Sequence, residues 1–307
     1  LKIFHNFTKL MVYSKVLTNA EQNANIYPID IYCHYKNIIH TGENMTELST
    51  FQYELLYNTF SFGIATFAAA SIFFWLGRAQ VSSAYKTALS LTGLVTFIAF
   101  YHYWRIFESF GDAYTLTDGM VEATGASFND AYRYVDWLLT VPLLLIELIL
   151  VMKLTKSETV SKSFNLGLAA AIMVILGYPG EISMEAGTRW TYWVLAMIPF
   201  IYIVYQLYVG LGEAISKQPD NVKGLVATAR NVTVLSWCFY PVVFIFPMIG
   251  IEGSNAYTAI QVGYTVADIV SKAAFGVLIF IHRAIKICRI SFIVSTCFKD
   301  NLVINRI

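Results

Sequence analysis

The chain has 307 residues, of which 57% are hydrophobic, 16% aromatic and only 13% charged. Soluble globular domains average about 25% charged residues, so this composition excludes an ordinary soluble domain. The net charge of +1 gives no indication of a nucleic-acid partner. We therefore expect an all-α integral membrane protein that crosses the bilayer several times.

The sequence lacks the common motifs of soluble enzymes and of metal sites. It contains no Gly-rich phosphate loop, no zinc motif and no serine-nucleophile elbow. The four cysteines show no pairing or metal-binding spacing: Cys33, Cys238, Cys288 and Cys297. We expect no metal and no enzymatic activity.

Polarity divides the chain into three parts. Residues 1–50 are mixed in polarity, and we expect an N-terminal extension that is disordered or not part of the mature fold. Residues 51–289 are predicted to form a seven-helix domain, and residues 290–307 a C-terminal tail. The predicted spans are long enough to cross a bilayer, which takes about 20 residues. They lie at about 53–76, 83–107, 131–152, 164–182, 189–211, 225–249 and 256–282.

Loop charges predict the orientation of the helices. One side carries a set of basic residues: Arg78, Lys86, Lys153, Lys156, Lys162, Lys217, Lys223, Arg230, Arg283, Lys286 and Arg289. The other side is acidic: Glu108, Asp112, Asp118, Glu122, Glu185 and Glu252. Cytoplasmic loops are enriched in Lys and Arg, so we expect the N-terminus outside and the C-terminus in the cytoplasm. The membrane is the plasma membrane or, in a eukaryote, an endomembrane.

The seventh span carries two charged residues in its interior, Asp268 and Lys272. A charge at mid-bilayer costs at least about 2.5–3.5 kcal/mol on insertion scales, so both residues need a reason to be there. Their i, i+4 spacing places them on one helix face, where they are able to pair. One interpretation is a structural ion pair. The other is a desolvated lysine that forms a Schiff base with a carbonyl cofactor, with Asp268 as its counter-ion.

The third span adds two carboxylates at different depths. Asp136 and Glu147 are 11 positions apart, about 16 Å along a helix, and fall on nearly one face. Thr140 lies on that face between them, and Arg133 lies one turn outward of Asp136. His102, on the second span, is expected at the depth of Asp136.

Each of these residues also has a structural interpretation. Asp136 alone is explained as a partner of Arg133, Glu147 as a side chain that reaches the cytoplasmic interface, and His102 as a satisfied core histidine. Together they predict a line of proton-exchanging groups across the membrane, which these residue types form in transporters.

Aromatic residues inside the spans predict a pocket for a flat apolar ligand, with plain packing as the alternative. They are Trp137, Trp193, Trp237, Tyr240 and Phe244, and Pro241 is expected to kink the sixth helix.

Three stretches resemble the microbial rhodopsins, and specifically the proteorhodopsin- and xanthorhodopsin-like light-driven proton pumps. They are RYVDWLLTVP at 133–142, WCFYP at 237–241 and DIVSK at 268–272, and the resemblance covers roughly residues 51–289. It implies all-trans retinal bound to Lys272 as a protonated Schiff base. It also implies that Asp136 is the proton acceptor, Asp268 the second counter-ion and Glu147 the cytoplasmic proton donor.

The resemblance assigns further residues to the site. His102 matches the histidine that pairs with the acceptor, and Arg133 matches the arginine below the Schiff base. The retinal-pocket positions are Trp137, Met173, Gly177, Trp193, Trp237, Tyr240 and Phe244, with Pro241 beside them. Leu144 stands where family members tune colour, and its apolar side chain predicts green absorption.

Two positions depart from better-known relatives. Ile260 stands where halobacterial pumps carry a release-group glutamate, which implies late proton release. Trp193 stands where a glycine admits a carotenoid antenna in some relatives, so we expect no antenna.

The predicted function is an outward light-driven proton pump whose partners are protons and the lipid bilayer, and a homo-oligomer is compatible with it. The alternative is a retinal photosensor with little transport. Sensors often lack a carboxylate donor, so Glu147 favours the pump.

Overall fold

The computed structural model describes residues 46–81, 83–129, 131–152, 154–216, 220–278 and 280. Nearly all of the predicted N-terminal extension and the whole C-terminal tail lie outside the described residues. So do several of the basic residues used to predict the orientation: Lys153, Lys217, Arg283, Lys286 and Arg289.

The described part of the chain forms seven long helices, which confirms the predicted number. They are α1 (Thr50–Gly77), α2 (Ser83–Ala113), α3 (Ala131–Val151), α4 (Lys156–Glu181), α5 (Ala186–Tyr205), α6 (Asp220–Phe244) and α7 (Gly253–Asp268). A π-helical segment, Gln206–Gly210, and a short helix, Gly212–Ser216, follow α5.

Two of these helices begin with polar capping residues, which precede the apolar stretch in the sequence. Ser49 and Gln52 form a capping box at the start of α1, and Thr155 and Glu158 form another at the start of α4. Each box satisfies backbone N–H groups that have no partner inside the helix. The fourth helix therefore begins at Lys156, eight residues before the predicted 164.

Helices that are neighbours in sequence pack against one another from α1 to α5, and α7 packs against both α1 and α6. Four of the described helical stretches are apolar and long enough to span a membrane: Thr50–Gln80, Ala131–Val151, Lys156–Glu181 and Ala186–Ser216. Buried polar side chains lie in two of the other helices, Thr92 in α2 and Gln261 in α7, and Lys272 lies in the segment that follows α7. The bundle covers these side chains with other helices.

A β-hairpin lies between the second and third of the predicted spans. The helix α2 extends to Ala113, and β1 (Tyr114–Thr117) then pairs antiparallel with β2 (Met120–Ala123). Asp118 and Gly119 make the turn with positive φ angles of 52° and 78°. An Asp-Gly pair favours this two-residue turn, because glycine adopts positive φ without a steric penalty.

The seventh helix changes from α-helical to π-helical winding directly after Asp268. After Asp268 it continues as a π-helical segment, Ile269–Ala274, which contains Lys272. Such π segments are rare in proteins, and those that occur are frequently found at functional sites.

Candidate functional site

A buried cluster of charges joins α3 to α7. Lys272 Nζ forms ion pairs with Asp136 Oδ2 and, at 3.0 Å, with Asp268 Oδ1. All three side chains are 1% exposed. The structure thus brings together the lysine and the two aspartates that the sequence singled out.

The two aspartates differ in their hydrogen-bond donors. Asp268 accepts from Tyr103 Oη at 2.8 Å, from Tyr240 Oη at 2.7 Å and from Trp137 Nε1 at 3.1 Å. Asp136 Oδ2 accepts from Lys272, whereas its Oδ1 has no hydrogen-bond partner in the described part of the chain. Donors to a carboxylate stabilise its charged form, so Asp268 is the better stabilised anion.

Arg133 lies beside this cluster and is 1% exposed. Its two terminal nitrogens donate to Tyr103 Oη at 3.2 Å and to Gln261 Oε1 at 2.5 Å. The guanidinium also stacks over the Tyr264 ring, 5.3 Å from its centroid. The sequence predicted an arginine near the lysine but not its glutamine partner.

His102 is buried at 5% exposure, and its Nδ1 lies 2.9 Å from the backbone oxygen of Ile98. No hydrogen bond joins His102 to Asp136 among the residues described. The role of His102 as partner of the acceptor stays a prediction. The Thr140 hydroxyl donates to the backbone oxygen of Asp136 at 2.8 Å, which is a hydrogen bond within α3. It does not bridge the side chains of Asp136 and Glu147.

Glu147 is completely buried. Thr92 Oγ1 donates to its Oε1 at 2.5 Å, and its Oε2 has no partner among the described residues. This burial rules out the interpretation that the side chain reaches the cytoplasmic interface. A fully buried carboxyl group with one donor is better accommodated neutral than charged.

An apolar cavity ends at the charge cluster. Lys272, Asp268 and Ser271 supply its polar lining, while aromatic and aliphatic side chains supply the rest. Every predicted pocket residue lines it: Trp137, Leu144, Met173, Gly177, Trp193, Trp237, Tyr240, Pro241 and Phe244.

The cavity also has lining residues that the sequence analysis missed: Tyr134, Val141, Val174, Ala196, Met197, Phe200, Tyr264 and Ser271. Helical spacing was a usable signal for several of them. Met197 is one turn beyond Trp193, and Tyr264 is one turn before Asp268. Trp193 is fixed by a hydrogen bond from its Nε1 to the backbone oxygen of Pro241 at 2.9 Å.

Seven helices around a buried lysine, paired carboxylates and an apolar cavity define the class of the protein as a seven-helix integral membrane protein with an internal ligand site. The model of a family described as bacteriorhodopsin-like protein matches residues 55–286. The chain belongs to this family, the microbial rhodopsins, whose members bind retinal.

Individual relatives agree with this assignment. A green-light absorbing proteorhodopsin from a gamma-proteobacterium is 31% identical over 227 residues, which cover 73% of this chain and 85% of that protein. A blue-light absorbing proteorhodopsin from another gamma-proteobacterium is also 31% identical, over 69% of this chain and 79% of that protein. The crystallographic structure of xanthorhodopsin, a light-driven ion pump with dual chromophore, matches with a TM-score of 0.74 and 46% identity. It covers 78% of this chain and 96% of that chain.

Proposed function

We propose that this protein is an outward light-driven proton pump that binds all-trans retinal at Lys272. The observation that carries the proposal is the buried ion pair between Lys272 and Asp136 at the end of an apolar cavity. The pump class of the relatives supports it.

The residues of the cavity fit this cofactor. Aromatic rings and aliphatic side chains line the space beside one lysine nitrogen, which suits a flat apolar molecule with a carbonyl end. When bound to Lys272 through a Schiff base, retinal would absorb visible light and supply the energy for transport. The protein would bind it through Lys272 and orient it between the cavity walls.

The two aspartates have different roles at Lys272 Nζ. Three donors besides Lys272 stabilise the negative charge of Asp268, which serves as the second counter-ion. Asp136 has an oxygen without a donor among the described residues and takes up the proton that leaves Nζ. Both aspartates are buried, so the transfer occurs away from bulk water.

Glu147 returns a proton to Lys272 Nζ from the opposite side. Its burial keeps the carboxyl group protonated until that proton is needed, and Thr92 fixes its orientation. The outward direction rests on the orientation predicted from the loop charges, because that orientation places Glu147 on the cytoplasmic side.

Several features of the surroundings belong to the same proposal. The protein works in the lipid bilayer of a plasma membrane or a eukaryotic endomembrane, with a homo-oligomer as a compatible state. It is a transporter and has no enzymatic role. Trp193 fills the cavity wall and is held by Pro241, so we expect no carotenoid antenna there.

A photosensor with little transport is the alternative, and Glu147→Gln separates the two functions. In a pump, this change preserves the colour and slows the reprotonation of Lys272 Nζ, because the N–H groups of an amide are not acidic enough to donate a proton. Azide or acid then partly restores the rate. Flash photolysis measures that decay, and a decay as fast as that of the unmodified protein would favour the sensor.

A further inference from the structure

A glutamine on α7 anchors the buried arginine of the site. Gln261 is 3% exposed and lies seven residues before Asp268, two helical turns away. Its Oε1 accepts from one terminal nitrogen of Arg133, and the other terminal nitrogen donates to Tyr103 Oη. Tyr103 Oη in turn donates to Asp268 Oδ2. A chain of hydrogen bonds therefore runs from Gln261 through Arg133 and Tyr103 to Asp268.

We propose that Gln261 is a positioning residue that holds Arg133 away from Asp136, and so sets the pH at which Asp136 takes up a proton. This inference rests on the proposed function. Arg133 precedes Asp136 by three residues on α3, so the two side chains share a helix face and are within reach of each other.

The acceptors of Arg133 explain why such an anchor is needed. Both of its terminal nitrogens are engaged by neutral oxygens, from an amide and from a phenol. A guanidinium bonds more strongly to a carboxylate, and two carboxylates lie in the adjacent cluster. Without Gln261, Arg133 loses one of its neutral acceptors, and we expect the guanidinium to turn toward these carboxylates. A positive charge closer to Asp136 stabilises its ionised form.

Other charged and titratable groups around Asp136 are unchanged by a substitution at Gln261. They are Asp268 from α7, Lys272 from the π segment that follows it, His102 and Tyr103 from α2 and Tyr240 from α6. The residue of α1 beside the cluster is Phe67, whose ring centroid is 5.8 Å from Lys272 Nζ. A change in the titration of Asp136 then reports the position and charge of Arg133.

Two substitutions with opposite effects test the proposal. Gln261→Leu removes the acceptor, whereas Gln261→Glu keeps an acceptor and adds a negative charge that holds Arg133 in place and offsets its charge. The matched control is Gln52→Leu, which removes the amide of another buried glutamine, one that bonds to Asn255. Each full-length variant is purified with all-trans retinal, and the visible band is followed from neutral to acid pH. The midpoint of its red shift reports protonation of Asp136.

We expect Gln261→Leu to lower this midpoint by about one pH unit, a tenfold change in the protonation equilibrium. Gln261→Glu raises it, and Gln52→Leu leaves it in place. Shifts of both Gln261 variants in one direction, or midpoints equal to that of the control, would overturn the role of Gln261.

If Gln261→Leu forms no pigment, Gln261→Glu decides by itself. A raised midpoint supports the proposal, and an unchanged or lowered one overturns it. A titrating band in the unmodified protein supports the retinal site independently, so unshifted variants then count against Gln261 alone. A complete lack of a band in the unmodified protein would overturn the proposed function and this inference together.

Discussion

Leu144 is the residue expected to set the colour of the pigment. It is 3% exposed and lines the same cavity as Lys272. The green- and blue-light absorbing proteorhodopsins have the same sequence identity to this chain, 31%, so overall similarity does not predict the colour. From the apolar side chain at this single position we expect green absorption.

Replacing Leu144 by glutamine should shift the visible band to the blue, because an amide dipole then lies against the bound cofactor. Absorption spectra of the purified variants measure the shift. Leu143→Gln is the control, since Leu143 is a neighbour on α3 that packs against the core but does not line the cavity. An unchanged spectrum in Leu144→Gln would contradict the assignment.

The charged residues of the site could be identified from the sequence, but the residues that contact them could not. Asp136, Glu147, Asp268 and Lys272 were identifiable because a charged residue inside an apolar span is costly. The partners Thr92 and Gln261 were not, because a polar uncharged residue in a helix gives no indication of what it faces. Their contacts come from other helices, 55 and 128 residues away along the chain.

Among the helices, the close approach of α1 to α2 depends on Gly63. A Cβ atom at this position would lie 2.8 Å from Tyr103 Cδ1 and 3.3 Å from Thr265 Cγ2. Tyr103 has little room to move, because it is fully buried and its hydroxyl donates to Asp268. A larger residue on α1 therefore disturbs the charge cluster through Tyr103.

We expect Gly63→Ala to destabilise the protein by about 1 kcal/mol and to shift its visible band. Overpacking costs about 1–3 kcal/mol, and the gain in helix propensity of about 1 kcal/mol from replacing glycine offsets part of this cost. Thermal denaturation gives the stability and the spectrum gives the shift. Gly167→Ala is the control, because its added Cβ makes only an ordinary contact, 3.7 Å from Pro142. Equal stability in the two variants would contradict this account of the packing.

Elements were predictable where one physical signal dominated. Apolar windows predicted all seven helices, since a membrane span needs a long apolar stretch. Helix ends were less accurate, because the capping boxes at Ser49 and Thr155 are polar and lie outside those windows. The hairpin was missed although Asp118-Gly119 is a turn signal. The π segment around Lys272 has no signal of its own in the sequence.

For the molecule as a whole, we expect that Lys272 alone anchors the cofactor. Among the described residues, it is the one lysine that lines the cavity. Lys272→Ala should therefore abolish the visible band after addition of all-trans retinal. Lys162→Ala, near the start of α4 and beside Gly210, should retain it. Absorption spectra before and after hydroxylamine test this expectation, and a persistent band in Lys272→Ala would rule out the attachment site.

The direction of light-driven proton movement tests the central claim most directly. Cells that express the protein with retinal are illuminated in unbuffered medium while the external pH is recorded, with and without a protonophore. We expect external acidification that the protonophore abolishes. We also expect no acidification at neutral pH in Asp136→Asn, which keeps a red-shifted band because the counter-charge of the acceptor is lost. External alkalinisation, or a coloured protein that leaves the external pH unchanged, would contradict the outward pump.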